Sequence, residues 1–263
     1  MSLVPFDDRD GWIWLDGQFV AWREAKVHVL THGLHYASAV FEGERMYGGE
    51  VYALKEHTER LFKSAEILDF EIPYTQDEIN RATLETCAKN GLTDCYIRPI
   101  AWRGTEMIGV AAQNTKIHVA IAVWDWPSYF DPELKRKGIR LTYSKYRRPD
   151  PSSAPVHAKA TGANIFLIKD GVIHTPTPDS FLNGITRQSV IRLAKERGYE
   201  VVERTIPASE LGDFSEVFIT GSAAEVTPVS EIGEHRYTPG NISLSLMDDY
   251  ARMVRRELQP VTA

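Results

Sequence analysis

Lys159 lies in the run Pro155-Val156-His157-Ala158-Lys159-Ala160-Thr161-Gly162-Ala163-Asn164-Ile165-Phe166. A lysine amine held neutral by its surroundings is a nucleophile and a proton carrier. Most lysines are solvated surface charges, so this one matters only through its company. Gly184-Ile185-Thr186 stands before a helical pattern, where free backbone N–H groups and the helix dipole would face an anion. Alone, that triplet is an ordinary cap. His28, His32 and His35 have a spacing that could suggest a metal site, but no acidic or cysteine partner lies nearby and the reading is discounted. His157, beside the lysine, is read as structural.

The elements that must carry these residues follow from pattern and turn chemistry. Asp16-Gly17 between Trp12-Ile13-Trp14-Leu15 and Gln18-Phe19-Val20 is a hairpin signal, so the chain opens in antiparallel sheet. One helix is expected from about Lys55 to Ile67, with Leu61, Ala65 and Leu68 at helical spacing. A second is bracketed by the capping box Thr75-Gln76-Asp77-Glu78 and by Gly91. From Lys116 to Trp124, alternation of Ile117, Val119, Ile121 and Val123 marks a half-buried strand. Trp126-Pro127-Ser128-Tyr129-Phe130-Asp131-Pro132 breaks both periodicities and is the expected domain boundary. Beyond it, strands are expected over Ile139 to Lys145, Gly171 to Pro176, Tyr199 to Arg204 and Glu216 to Thr220. A helix over Thr186 to Arg197 is closed by Gly198, and a terminal helix spans about Ser243 to Leu258 with Leu246, Tyr250, Met253 and Val254 as its stripe.

Length and composition narrow the function classes. At 263 residues, 43% hydrophobic and 25% charged, the chain has ordinary globular values and ample length for a core. A net charge of -6 disfavours nonspecific binding to nucleic acid or to an anionic membrane, so the expected partner is a small molecule. No apolar run approaches the ~18 residues of a membrane span, and the N-terminus has no signal pattern, which makes a cytoplasmic protein the expectation. Cys87 and Cys95 are read as reduced core residues.

Lys159 is accompanied, in order, by Phe41-Glu42-Gly43-Glu44-Arg45, Glu56-His57-Thr58-Glu59-Arg60-Leu61, Tyr96-Ile97-Arg98-Pro99, Gly184-Ile185-Thr186-Arg187 and Gly221-Ser222-Ala223-Ala224-Glu225-Val226-Thr227-Pro228. With these motifs in register from Trp12 to Leu258, the chain resembles the fold-type IV pyridoxal-phosphate aminotransferases, and within them the branched-chain amino-acid aminotransferases. The resemblance implies a two-domain α+β / α/β fold of the D-amino-acid aminotransferase-like type. A smaller N-terminal domain would cover 1–125, a linker 126–132, and a cofactor-binding domain 133–263.

The same resemblance implies pyridoxal 5'-phosphate as cofactor, with Lys159 as the Schiff-base lysine and proton shuttle. Arg60, Ile185, Thr186 and Ser222 would bind the phosphate. Tyr36, Phe41, Tyr96, Arg98, Trp126, Tyr129 and Ala223 would line an amino-acid pocket. An aromatic wall suits a branched aliphatic side chain, and Arg98 with nearby tyrosine hydroxyls could take the distal carboxylate of glutamate or 2-oxoglutarate, allowing a ping-pong exchange. Plain core packing is the competing reading of these aromatics. The expected partners are amino acids and 2-oxo acids, and the expected smallest active unit is a homodimer.

In the family, the lysine strand continues through a helix and a hairpin before a Glu-x-x-Gly-x-Asn motif. Here Ala160 runs straight into Thr161-Gly162-Ala163-Asn164, so roughly 30 residues have no counterpart. The glutamate that meets the pyridine nitrogen and a supporting tyrosine go with them. Two readings stay open: an active branched-chain aminotransferase whose polypeptide carries a segment this sequence omits, or an internally deleted, catalytically impaired relative acting as a binding or assembly protein. A third stays within the fold: D-amino-acid aminotransferase, R-selective amine transaminase or aminodeoxychorismate lyase.

Overall fold

The computed structural model describes residues 4–126, 132–146, 150 and 162–257. The chain divides into two compact units, the first ending its main run at Trp126. Each has its own sheet and its own core.

In the first unit, β1 (Trp12–Leu15) and β2 (Gln18–Ala21) form the expected hairpin. Asp16 (φ 49°) and Gly17 (φ 91°) both turn left-handed, as a two-residue hairpin loop requires. After α1 (His32–Tyr36) come β3 (Ala39–Phe41), β4 (Glu44–Tyr47) and β5 (Glu50–Val51), then α2 (Leu54–Ile67) and α3 (Gln76–Lys89). The two long strands β6 (Cys95–Arg103) and β7 (Ile117–Trp124) complete the sheet, in the order β2-β1-β7-β6-β4-β5 with β3 also on β6. The Thr75 capping box forms as the sequence demands: Glu78 N–H donates to the Thr75 hydroxyl and Thr75 N–H to the Glu78 carboxylate. Helices α2 and α3 bury Leu61, Ala65, Ile79 and Ala82 with Ile97, Val119, Ile121 and Val123 from the strands. Cys87 and Cys95 meet in that core unbonded, with 3.8 Å between sulfurs.

The second unit begins with α4 (Pro132–Lys137) and β8 (Ile139–Leu141). Next come β9 (Asn164–Lys169), β10 (Val172–Thr175), α5 (Ile185–Glu196) and β11 (Val201–Glu203). The remaining elements are β12 (Glu216–Gly221), β13 (Glu225–Ile232), β14 (His235–Arg236) and α6 (Asn241–Val254). The sheet order is β11-β10-β9-β12-β13-β14, with β8 parallel to β13. Phe166 and Phe218 stack at 4.8 Å in its interior.

Two expected boundaries are corrected. The strand from Ile139 stops at Leu141 rather than Lys145, because its partner β13 ends at Ile232 and turns through a left-handed Gly233; residues 142–146 have no strand to pair with among the described residues. Helix α6 runs from Asn241 to Val254 instead of Ser243 to Leu258. Arg256 turns left-handed, and Arg256 N–H and Glu257 N–H close back on the carbonyls of Met253 and Arg252. Leu258 lies outside the described residues.

One core residue breaks the apolar rule. Glu44 on β4 is only 1% exposed, and its Oε2 has no hydrogen-bond partner among the described residues. Burial, aided by the nearby Glu42 charge, pushes its carboxyl well above the usual range and so favours its protonated form. A raised carboxyl favours the fold fully below the unfolded-state pKa, and the advantage shrinks as pH rises, because the unfolded chain ionises while the folded one does not. Glu44→Gln therefore stabilises by about 1.4 kcal/mol for each pH unit over which folded Glu44 alone stays protonated. Denaturant unfolding at pH 4.5 and pH 8 checks this: the gain appears at pH 8, and an equal effect at both pH values contradicts it.

Candidate active site

In the first unit, Phe41-Glu42-Gly43 joins β3 to β4 against β6, where Glu42 N–H donates to the Pro99 carbonyl at 2.9 Å. Gly43 is a close approach: a Cβ there would overlap the hydroxyl of Tyr96. Around this joint, four of the expected pocket residues come together. Arg98 lies 4.3 Å over the Phe41 ring and 5.4 Å from Tyr96, and its Nη2 donates to the Tyr96 hydroxyl at 3.1 Å. Tyr96 in turn packs on Trp126 at 5.1 Å. The Nε of Arg98 is buried without a partner among the described residues. Tyr36 stands apart from these contacts, 45% exposed on α1 and stacked on His32 at 4.6 Å. His32 itself is buried between Ser38 and the Gly109 carbonyl.

Arg60 projects from α2 and is only 15% exposed, unlike a solvated helix charge. Glu42, fully buried, takes Arg60 Nε on Oε1 at 2.7 Å and Arg60 Nη2 on Oε2 at 2.7 Å. His57 Nδ1 adds a 2.8 Å bond to Oε2. Burial alone would raise the Glu42 carboxyl, but the bonds from Arg60 and His57 outweigh it and hold it at about 2. Arg60 Nη1 is left buried with no partner among the described residues.

In the second unit, Gly184 is the N-cap of α5 and offers no side-chain cap, so among the described residues no side chain caps the first N–H groups of Ile185 and Thr186, an arrangement that suits an anion. Asn164, the first residue of β9, pairs with Thr220 at the end of β12. Its side-chain amide donates to the Leu182 carbonyl at 3.0 Å, and its Oδ1 fills the place that a Cβ on Gly184 would need. Gly221 packs against the backbone of Gly162 and Ala163. The start of α5 and the Gly221-Ser222-Ala223-Ala224 turn thus flank one strand end. The turn is fixed at its far side by Thr227, whose hydroxyl donates to the Ala224 carbonyl at 2.6 Å, and by Glu225 in a left-handed conformation, paired with Lys135 at 2.9 Å.

Taken unit by unit, the helix-start N–H groups of α5 suit an anion, and so does the buried Arg60 Nη1, which has no acceptor among the described residues. Lys159 and Tyr129 lie outside the described residues. Glu42, His57 and Asn164 lie within the quoted motifs but carry no role there. Their signal was in the sequence as residue types inside the motifs, but who they bond to depends on contacts across 15 to 18 positions. Gly184→Ala should cost about 1–3 kcal/mol in urea unfolding by overpacking, and Asn164→Ala in the same chain should recover part of that loss by removing the colliding atom.

The class IV amino-transferase family model matches residues 39–162 and 157–232. The branched-chain-amino-acid aminotransferase of Pseudomonas aeruginosa is 40% identical over 271 residues, covering 89% of this chain and 88% of that protein. The one from Escherichia coli is 36% identical, covering 87% and 88%. The crystal structure of the T.th. branched-chain amino acid aminotransferase with pyridoxamine 5'-phosphate superposes with a TM-score of 0.91 at 36% identity, over 95% of this chain and 96% of that one. Of the 271 positions aligned with the Pseudomonas protein, 89% of 263 residues accounts for about 234, so about 37 have no residue of this chain opposite them. The two family matches overlap at 157–162, around the junction of Ala160 and Thr161. The motifs, the two-unit α/β architecture and these likenesses agree: the chain belongs to the class IV aminotransferases, with the fold of the fold-type IV enzymes.

Proposed function

We propose that the chain transaminates branched-chain L-amino acids, leucine, isoleucine and valine, with 2-oxoglutarate as amino acceptor and pyridoxal 5'-phosphate as cofactor. The observation that carries this reading is Arg98 among Phe41, Tyr96 and Trp126: a cation with a buried, unpartnered Nε beside an aromatic wall. That wall suits an aliphatic side chain, and the guanidinium suits the distal carboxylate of a dicarboxylic acid. One pocket then accepts both substrates in turn, as a ping-pong exchange needs.

Arg60, Ile185, Thr186 and Ser222 would hold the cofactor phosphate, and Ala223 would contribute to substrate binding. The bound cofactor supplies an electron-withdrawing ring that acidifies the substrate Cα–H. Lys159 attaches the cofactor and moves the proton at Cα. The sequence between Ala158 and Thr161 offers no acid for the ring nitrogen, so in this reading cofactor affinity leans on the phosphate contacts. The unbonded Cys87 and Cys95 sulfurs favour a reducing compartment such as the cytoplasm. Among the described residues no helix is long and apolar enough to cross a membrane.

A homodimer is part of the proposal. Val27, Val29, Leu30 and Leu34 expose large apolar side chains within one short stretch of the first unit, and a second copy of the chain would cover them. Leu34→Asp should shift sedimentation toward monomer; an unchanged dimer with that substitution contradicts this face.

Steady-state assays with leucine, isoleucine, valine and a D-amino acid test the activity. Faster turnover of the L-branched acids is expected, and a preference for the D-acid overturns the substrate assignment. The visible absorbance band of protein mixed with pyridoxal phosphate should disappear in Lys159→Ala. No band in the unsubstituted chain would sink the reading in favour of an impaired, internally deleted protein.

A further inference from the structure

Glu42 and Arg60 form a pair whose geometry does more than neutralise charge. The carboxylate grips one edge of the guanidinium, Nε and Nη2, with both bonds at 2.7 Å. A guanidinium is planar and rigid, so fixing that edge fixes the direction of Nη1. His57 also holds the carboxylate, bonding the same Oε2 that takes Arg60 Nη2. An ionised carboxylate only accepts, so the hydrogen of the 2.8 Å bond sits on His57 Nδ1. The 3.4 Å approach of Arg60 Nη2 to that same nitrogen is therefore between two donors and is no bond. Each remaining piece is tied down: Glu42 to β6 through its backbone N–H, and His57 to the first turn of α2 through the Ala53 carbonyl. What stays without an acceptor among the described residues is Nη1.

We infer that Glu42, backed by His57, is a positioning residue that aims Arg60 Nη1 at the phosphate of the cofactor. This rests on the reading of Arg60 as a phosphate ligand. A purely electrostatic view predicts the opposite, since a carboxylate 2.7 Å from the arginine offsets its attraction for an anion. The two views therefore differ in sign. If charge dominates, removing the Glu42 charge tightens phosphate binding; if aim dominates, it weakens it.

The test titrates the full chain, freed of cofactor, with pyridoxal phosphate and separately with pyridoxal, which lacks the phosphate. Glu42→Gln should weaken pyridoxal phosphate by about 10- to 100-fold, the usual effect of losing a residue that orients a ligand group, while pyridoxal affinity stays unchanged. Glu42→Gln added to Arg60→Ala should cost nothing beyond Arg60→Ala alone, because both act through one contact. Glu42→Asp keeps the charge but is one methylene shorter, so it should also weaken only the phosphorylated ligand, and it keeps the question open to test should the Gln variant fail to fold. Unchanged or tighter pyridoxal phosphate binding in either Glu42 variant, alongside a weakened Arg60→Ala, overturns the positioning role and leaves Arg60 as a ligand. Unchanged binding in Arg60→Ala overturns the phosphate reading itself.

Discussion

A buried hydrogen-bond donor without an acceptor costs about 1–3 kcal/mol, and a fold keeps one only where the surroundings force it. The first unit keeps such a donor, and the second leaves the start of a helix without a side-chain cap among the described residues. In the first, Arg60 Nη1 is left over after Glu42 has taken the other edge of the guanidinium. In the second, the N–H groups at the start of α5 have no capping side chain, because the N-cap is Gly184 and the neighbouring space belongs to Asn164. Much of the local architecture follows from holding these groups still. The β9–β12 pairing sets Asn164, Asn164 sets the loop before α5, and the β3–β4 joint sets Glu42 against α2.

Two glutamates two positions apart illustrate how partners decide ionisation. Glu42 and Glu44 are both buried close together, yet Arg60 and His57 hold the Glu42 carboxyl low while burial pushes up that of Glu44, whose Oε2 has no partner among the described residues. Desolvation is the largest influence on each, and only Glu42 has donors enough to offset it. One acidic residue serves an arginine; the other loses stabilising effect as pH rises.

The parts of the fold legible in the sequence were those written in local chemistry. Asp16-Gly17 specified a hairpin, Thr75 and Glu78 a helix start, and the alternation from Ile117 to Val123 a strand with one buried face. The ends of β8 and α6 were less legible, since one depends on where β13 stops and the other on an arginine accepting a left-handed turn that glycine usually takes. For the site, the motifs named Arg60, Arg98, Ile185 and Thr186. They could not tell that Arg60 is a paired, mostly buried cation, nor that Asn164 fills the space beside Gly184, because both facts are tertiary contacts between residues of ordinary type. Tyr36, named through the resemblance rather than through a quoted motif, stacks on His32 and is 45% exposed.

We propose that the cofactor phosphate is held by donors at the start of α5 and on Arg60. A crystal structure of the full chain grown with pyridoxal phosphate tests it most directly. Phosphate oxygens within about 2.7–3.2 Å of the Ile185 and Thr186 N–H groups and of Arg60 Nη1 are the predicted result. A phosphate bound elsewhere, or a cofactor held with no contact to the start of α5, would contradict it.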